Sequence, residues 1–356
     1  MAVLDKVFKA ASDHGASDLH IVPGEPFILR RMGQLVKMKS APLAPEKAQQ
    51  LIFEILTPEQ RAEVEQTQQV DFAYAIEGLA RFRGSVMGHN RGLSAVFRII
   101  PPAVPQLDQL GLPPVVTQVL DNHQGLILVT GATGQGKSTT LAAMVNYINS
   151  HRAHHILTVE DPIEFVQPIK RGVVNQRQLG SSTRSYGNAL RAALREDPDV
   201  IMIGELRDLE TISLAISAAE TGHLVIGTLA TSGAAKTVDR IIDAYPADQQ
   251  NQIRAMLSET LRAVVTQRLI PGSENSGMAL AVEVLIGTLP MTNLIKDGKT
   301  FQIPSMMQTA KAVGMQRMDD AIGELLKAGK ITAQAAVAYA NDPKKFKNRP
   351  QGGARE

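Results

Sequence analysis

Gly131, Ala132, Thr133, Gly134, Gln135, Gly136, Lys137, Ser138 and Thr139 follow directly on the apolar run 126–129 and lead into an amphipathic segment. Few short patterns restrict a fold so tightly. Glycines let several backbone N–H groups converge on one anion, and a helix starting at the loop adds the positive end of its dipole. Leu141, Met144, Val145 and Ile148 recur at i, i+3, i+4 and i+7, one buried face of such a helix. Apolar strand, glycine loop and helix together predict a phosphate-binding loop, with residues 131–139 cradling a nucleoside triphosphate. Lys137 is expected to reach the β and γ phosphates, and Ser138 to ligate Mg²⁺ directly.

The segments after the loop keep the same rhythm. Residues 126–129, 156–159, 200–203, 224–229 and 281–285 are strand candidates separated by helical stretches, which predicts a largely parallel α/β domain with its ligand at the carboxyl ends of the strands. Ile253, Met256, Leu257, Leu261, Val264 and Val265 read as one apolar helix face, and residues 318–327 as a further helix. Before the loop the chain reads as α+β. Residues 3–11 and 44–56 are expected as helices, the second stopped by Thr57 and Pro58. Residues 27–38 read as a hairpin turning at Met32 and Gly33, and residues 70–76, 79–88 and 93–100 as strands. Pro101, Pro102, Pro105, Pro113 and Pro114 crowd one stretch, so the expected plan is a smaller domain over 1–100, a proline-rich linker over 101–118 and the larger domain over 119–356.

Chemistry is expected where strands end. Glu160, Asp161 and Glu164 follow one predicted strand, and Glu205 follows another. A carboxylate beside a phosphate loop holds Mg²⁺ or its waters, and a second one orients the attacking water. Glu205 is the choice for the water, and Glu160 and Glu205 are both expected to approach Mg²⁺ through water. His223 precedes a strand and reads either as a structural residue or as a hydrogen-bond donor near a γ-phosphate. His151, His154 and His155 read as a helix end favoured by the dipole.

Arg81, Arg83 and Ser85 alternate along one predicted strand, and Arg98 lies on the next. Two readings fit that spacing. Alternating charge is ordinary on a solvated antiparallel face, while guanidinium forks on one surface also suit a phosphate and the charge that builds during its transfer.

Composition narrows the partners and compartments. A chain of 356 residues with 44% hydrophobic content is too long for one ordinary core, which favours two domains of unequal size. Its net charge of +2 gives no general drive toward nucleic acid, and none is expected as a partner. With no cysteine, disulfides and thiolate metal sites are excluded. The start lacks a basic region followed by an apolar core, and no apolar run approaches spanning length, so neither a cleaved signal nor a membrane span is expected. The polar tail over 342–356 reads as a solvated end.

Four stretches then carry a family resemblance. Residues 131–140, 158–165 (Thr-Val-Glu-Asp-Pro-Ile-Glu-Phe), 192–208 (Ala-Ala-Leu-Arg-Glu-Asp-Pro-Asp-Val-Ile-Met-Ile-Gly-Glu-Leu-Arg-Asp) and 220–229 (Glu-Thr-Gly-His-Leu-Val-Ile-Gly-Thr-Leu) resemble the Walker A, acidic, Walker B and histidine boxes of secretion-type traffic ATPases. Within that superfamily the chain is most similar to the twitching-motility ATPases that retract type IV pili. Residues 17–21 and 80–83 add to the likeness. The resemblance implies a RecA-like P-loop ATPase domain behind a PAS-like N-terminal domain, using ATP or ADP and Mg²⁺. It implies a cytoplasmic homohexamer, peripheral at the inner-membrane face and docked on a pilus platform protein, with paralogous pilus ATPases as further partners. Glu160 and Glu164 fall on the acidic box, Glu205 on the catalytic glutamate and His223 on the first histidine, while Arg83 and Arg98 fall on arginines that approach the γ-phosphate. Two departures stand out. Ala230 replaces a second histidine, and residues 290–295 read Pro-Met-Thr-Asn-Leu-Ile where retraction motors carry Ala-Ile-Arg-Asn-Leu-Ile. They leave open an accessory ring paralogue of weak hydrolysis, or an extension or type II secretion ATPase, as the alternatives.

Overall fold

Phe8, four apolar positions down the first helix, is fully buried against Phe82 at 4.2 Å and edge-on to Phe97 at 4.9 Å, and this aromatic knot centres the first of two compact units. The computed structural model describes residues 2–31, 33–101, 103–273 and 277–347. One unit comprises Met1–Val104 with Pro162–Val166, and the other Pro105–Asp161 with Gln167–Glu356.

In the first unit α1 (Val3–Asp13) leads to β1 (Asp18–Ile21), β2 (Ile28–Arg31) and β3 (Gln34–Lys37), followed by α2 (Pro45–Ile55) and α3 (Pro58–Thr67). The strands β4 (Gln69–Ile76), β5 (Ala80–His89) and β6 (Gly92–Ile100) complete an antiparallel sheet of order β3-β2-β1-β6-β5-β4. Thr57 and Pro58 end α2 as expected, but they also begin α3. Thr57 Oγ1 accepts from Gln60 N at 3.3 Å while Gln60 Oε1 accepts from Thr57 N at 3.0 Å, a reciprocal cap. Gly84 is glycine for room: a Cβ there would meet the Phe72 ring at 2.7 Å. The hairpin expected over 27–38 forms as β2 and β3, with Gly33 at φ 80°; Met32 lies outside the described residues.

The second unit begins within the stretch expected as linker. Pro102 lies outside the described residues, but Pro114 starts α4 (Pro114–Val119), since the first helical position needs no N–H donor, and Val116 and Val119 are buried. Next come β7 (Gly125–Thr130), α5 (Lys137–His151), β8 (His155–Glu160), β9 (Val173–Gln178), α6 (Tyr186–Ala193), β10 (Val200–Ile203), α7 (Leu209–Glu220), β11 (Leu224–Leu229), α8 (Ala234–Asp243) and α9 (Gln250–Thr260). The chain closes with β12 (Leu261–Pro271), β13 (Met278–Ile286), α10 (Leu289–Lys296), α11 (Ile303–Thr309), α12 (Met318–Lys327), α13 (Ala333–Tyr339) and α14 (Lys344–Lys347). The sheet runs β13-β12-β7-β11-β10-β8-β9, parallel throughout except for the β12–β13 pair. The expected architecture, a largely parallel α/β unit with a smaller α+β unit before it, is the one observed.

One element departs from expectation. The helix face read through Leu261, Val264 and Val265 breaks at Thr260, where α9 passes straight into β12. β12 lies between β7 and β13, with Leu261, Ala263, Val264, Val265 and Thr266 all buried. A strand covered on both faces loses its alternation, and its apolar run then mimics helical spacing. Of the tail read as solvated, Lys344–Lys347 is helical with Phe346 buried, and residues 348–356 lie outside the described residues. Among the described residues no helix is long and apolar enough to cross a membrane.

Candidate phosphate and hydrolysis site

The glycine loop joins the end of β7 to the first residue of α5, so its N–H groups and the helix dipole meet at the carboxyl edge of the sheet. Gly131, Gly134 and Gly136 have φ of 144°, 81° and 80°, angles that side chains with a Cβ resist. Gly131 also has no space for one, because a Cβ would stand 2.7 Å from the carbonyl oxygen of Gln267. Ala132, Thr133 and Gly134 are exposed, and Ser138 presents a hydroxyl with no hydrogen bond to another described residue. Lys137 curls over the loop, its Nζ donating to the carbonyls of Gly131 at 2.9 Å and Ala132 at 3.1 Å. Burial lowers its pKa, and nearby Glu205 works in the opposite direction.

Strand β12 braces this loop from the side, a role that sequence reading missed. Leu269 N donates to Gln135 Oε1 at 2.6 Å, Gln267 Nε2 donates to Thr140 Oγ1 at 2.8 Å, and the hydroxyls of Thr130 and Thr266 pair at 2.8 Å. The signal lay in polar residues within an otherwise apolar run.

Two of the expected carboxylates come together beside the loop. Val159 pairs with Ile203, and Gly204 N donates to Val159 O at 2.8 Å, so Glu160 and Glu205 leave neighbouring strand ends. Glu160 Oε1 accepts from Thr158 Oγ1 at 2.7 Å and Gln176 Nε2 at 2.9 Å. Glu205 Oε2 is held by Arg207, from Nε and Nη2 at 2.7 Å each. The pair raises the Arg207 pKa further. Tyr186, the first residue of α6, also reaches this corner, and burial followed by the charge of Asp161 pushes its hydroxyl well above the usual phenol range. Sequence reading passed over it, because a lone tyrosine at a helix start carries no motif.

Other expected participants lie elsewhere. His223 immediately precedes β11, whose first residue, Leu224, pairs with Gly125, whereas the loop follows the opposite end of β7. Six strand residues at about 3.3 Å each separate it from the phosphate edge by ~20 Å. Its Nδ1 instead lies 3.0 Å from Ala218 O. A γ-phosphate on this loop is therefore beyond its reach, which corrects the expectation; the residue at the phosphate end of β11 is the exposed Ala230. His151 does occupy the last turn of α5, with its Nδ1 2.8 Å from Tyr147 O, but His154 and His155 lie beyond the helix.

Glu164, Arg83 and Arg98 belong to the first unit. There Arg81 Nη2 donates to Ile163 O at 3.3 Å, and Glu164 lines a cavity of about 400 Å³ beside Arg81 and Phe165. Arg83 stands directly opposite Arg98 across β5 and β6, and Asp18 opposite Arg98 on β1. Asp18 is buried, accepts from Arg98 Nε at 3.1 Å, and faces Arg30 at 3.8 Å. Arg83 has no hydrogen bond or ion pair among the described residues. The row answers the two readings separately: Arg98 is paired within the sheet, while Arg83 keeps its fork open.

The family described as type II/IV secretion system protein matches residues 1–332. A Pseudomonas aeruginosa protein named type IV pilus retraction ATPase PilT is 46% identical over 336 residues, 94% of this chain and 97% of that protein. A Neisseria gonorrhoeae twitching motility protein is 46% identical over 315 residues, 88% of this chain and 84% of that one. A crystal structure of the pilus retraction motor PilT with bound ADP covers 97% of this chain and 98% of its own at 43% identity, with a TM-score of 0.88. With its phosphate loop, its strand-end carboxylates and a match over nearly its whole length, this chain belongs to the type II/IV secretion system protein family.

Proposed function

We propose that this chain is an ATP hydrolase that drives type IV pilus retraction. The observation that carries the reading is that the Lys137 loop and Glu205 leave the same carboxyl edge of one parallel sheet, in a chain 46% identical to a retraction ATPase over 94% of its length. Residues 131–139 bind the phosphates of ATP or ADP. Ser138 is a direct Mg²⁺ ligand, with Glu160 and Glu205 acting on the ion through water. Hydroxyl and carboxylate oxygens are the donors such a hard cation takes, and the exposed Ser138 hydroxyl fits that use. When bound, the ion neutralises phosphate charge; Lys137 supplies a fixed positive charge and Glu205 aligns water for in-line attack.

Residues 1–100 form a PAS-like domain in which Arg83, its fork open, is the arginine suited to stabilise phosphate charge, and of the stretch 101–118 the part ahead of α4 serves as the joint to the ATPase domain. The working assembly is a homohexamer on the cytoplasmic side of the inner membrane, bound to a pilus platform protein. Ala230 supports a second reading, an accessory ring of weak hydrolysis, since a methyl group at the end of β11 supplies no hydrogen bond to the site. Expression in cells lacking their own retraction ATPase separates the two. Restored twitching, abolished by Lys137→Ala, supports the motor, whereas failure with normal expression and measurable ATPase activity supports the accessory role.

A further inference from the structure

The hydroxyl of Tyr186 lies 3.0 Å from the point where a Cβ on Gly204 would stand, a point also 3.2 Å from Val159 O and 3.4 Å from Cα of Glu160. The phenol tip therefore sits over the ends of β8 and β10, on the residue before Glu205. Its ring is packed against the apolar core of the second unit, which fixes where the tip can point. Asp161, Glu205, Glu160 and Arg207 all act on the hydroxyl electrostatically. Yet that hydroxyl makes no hydrogen bond to another described residue.

A half-buried tyrosine usually finds a partner for its hydroxyl, because an apolar ring would fill the same space without the desolvation cost. At neutral pH a phenol is protonated and can donate. Here the donor stands over the ends of β8 and β10, beside the strand-end residues Glu160 and Glu205, at the edge where the proposed hydrolysis holds its water. We infer that Tyr186 is a positioning residue of hydrolysis, its hydroxyl donating a hydrogen bond to the water held between Glu160 and Glu205. The inference rests on ATP hydrolysis at this site, as proposed above. Gly204 belongs to the same device, since a side chain there would crowd the hydroxyl.

The test is steady-state ATP hydrolysis by the full chain and by Tyr186→Phe, with ADP affinity and thermal midpoint measured on both. The ring is retained in the variant and only the donor is lost. Removing one hydrogen bond to a charged network predicts a fall in kcat of about tenfold, with KM and ADP affinity within about twofold. Unchanged kcat overturns the assignment, and so does a parallel loss of kcat, ADP affinity and thermal midpoint, which marks a purely packing role. If the unaltered protein binds ADP but releases no phosphate from ATP, the hydrolase reading fails first and the role of Tyr186 falls with it. Turnover in the unaltered protein that is abolished by Lys137→Ala but unaffected by Tyr186→Phe overturns the tyrosine assignment alone.

Discussion

The side-chain oxygen of Gln135 accepts a hydrogen bond from the backbone N–H of Leu269 at 2.6 Å, which ties the phosphate loop to the strand beside it. The loop's shape thus depends on β12 as well as on its own glycines. Gln135→Ala leaves the Leu269 donor unmatched and the loop less organised before ligand arrives. Its expected effect is a loss of ADP affinity of about five- to tenfold, roughly one hydrogen bond's worth, with little change in thermal midpoint. Affinity equal to the unaltered protein in a direct titration would show that the tie does not organise the loop.

Gly131 and Gly134 provide an internal comparison. Both have positive φ, but a Cβ at Gly131 meets Gln267 O at 2.7 Å while nothing lies within 4 Å at Gly134. Gly134→Ala should cost ~1 kcal/mol of stability from backbone conformation alone. Gly131→Ala adds a backbone clash and should cost about 3 kcal/mol. Equal shifts in denaturant midpoint would remove β12 from the account of the loop.

In the first unit Asp18 serves two guanidinium groups and the Ser17 hydroxyl, which donates to it at 2.8 Å. Asp18→Ala leaves Arg30 and Arg98 as neighbours without the anion between them. Because both arginines are partly exposed, solvent screens much of the loss, and a destabilisation of ~1–2 kcal/mol is expected. A chemical unfolding curve superimposable on that of the unaltered protein contradicts this.

Tyr74 gives an alkaline signature to the same unit. Burial and its hydrogen bond to Asp5, at 2.8 Å, push its hydroxyl up to about 12. The folded value is raised above the unfolded one of about 10, so the associated stability is fully present below pH ~10 and is lost as pH rises toward 12. Tyr74→Phe should abolish that part of the slope. Parallel unfolding curves for the two proteins between pH 10 and 12 would count against it.

How legible the molecule was depends on where each signal resides. Loop, helix α5 and the Glu160 and Glu205 strand ends were readable because motif and periodicity coincide there. β12 was misread because Val264 and Val265 are covered on both faces, and no turn residue separates Thr260 from Leu261. His223 was misplaced for a different reason: adjacency to a strand does not say which end faces the ligand, and only the pairing of Leu224 with Gly125 decides it. Gln135, Gln267 and Tyr186 act through contacts distant in sequence. Asp18 was legible as part of a family-like stretch, but its pairing with Arg98 is a property of sheet register.

The proposed hydrolysis depends on Glu205 directing water at a nucleotide held by Lys137 and the glycine loop. Phosphate release from ATP by the purified full chain, compared with Glu205→Gln at matched nucleotide occupancy, tests it most directly. ATP binding by the variant should stay within about threefold of the unaltered protein while turnover falls by about a hundredfold or more, the scale of a lost catalytic base. Undiminished phosphate release by Glu205→Gln would contradict it.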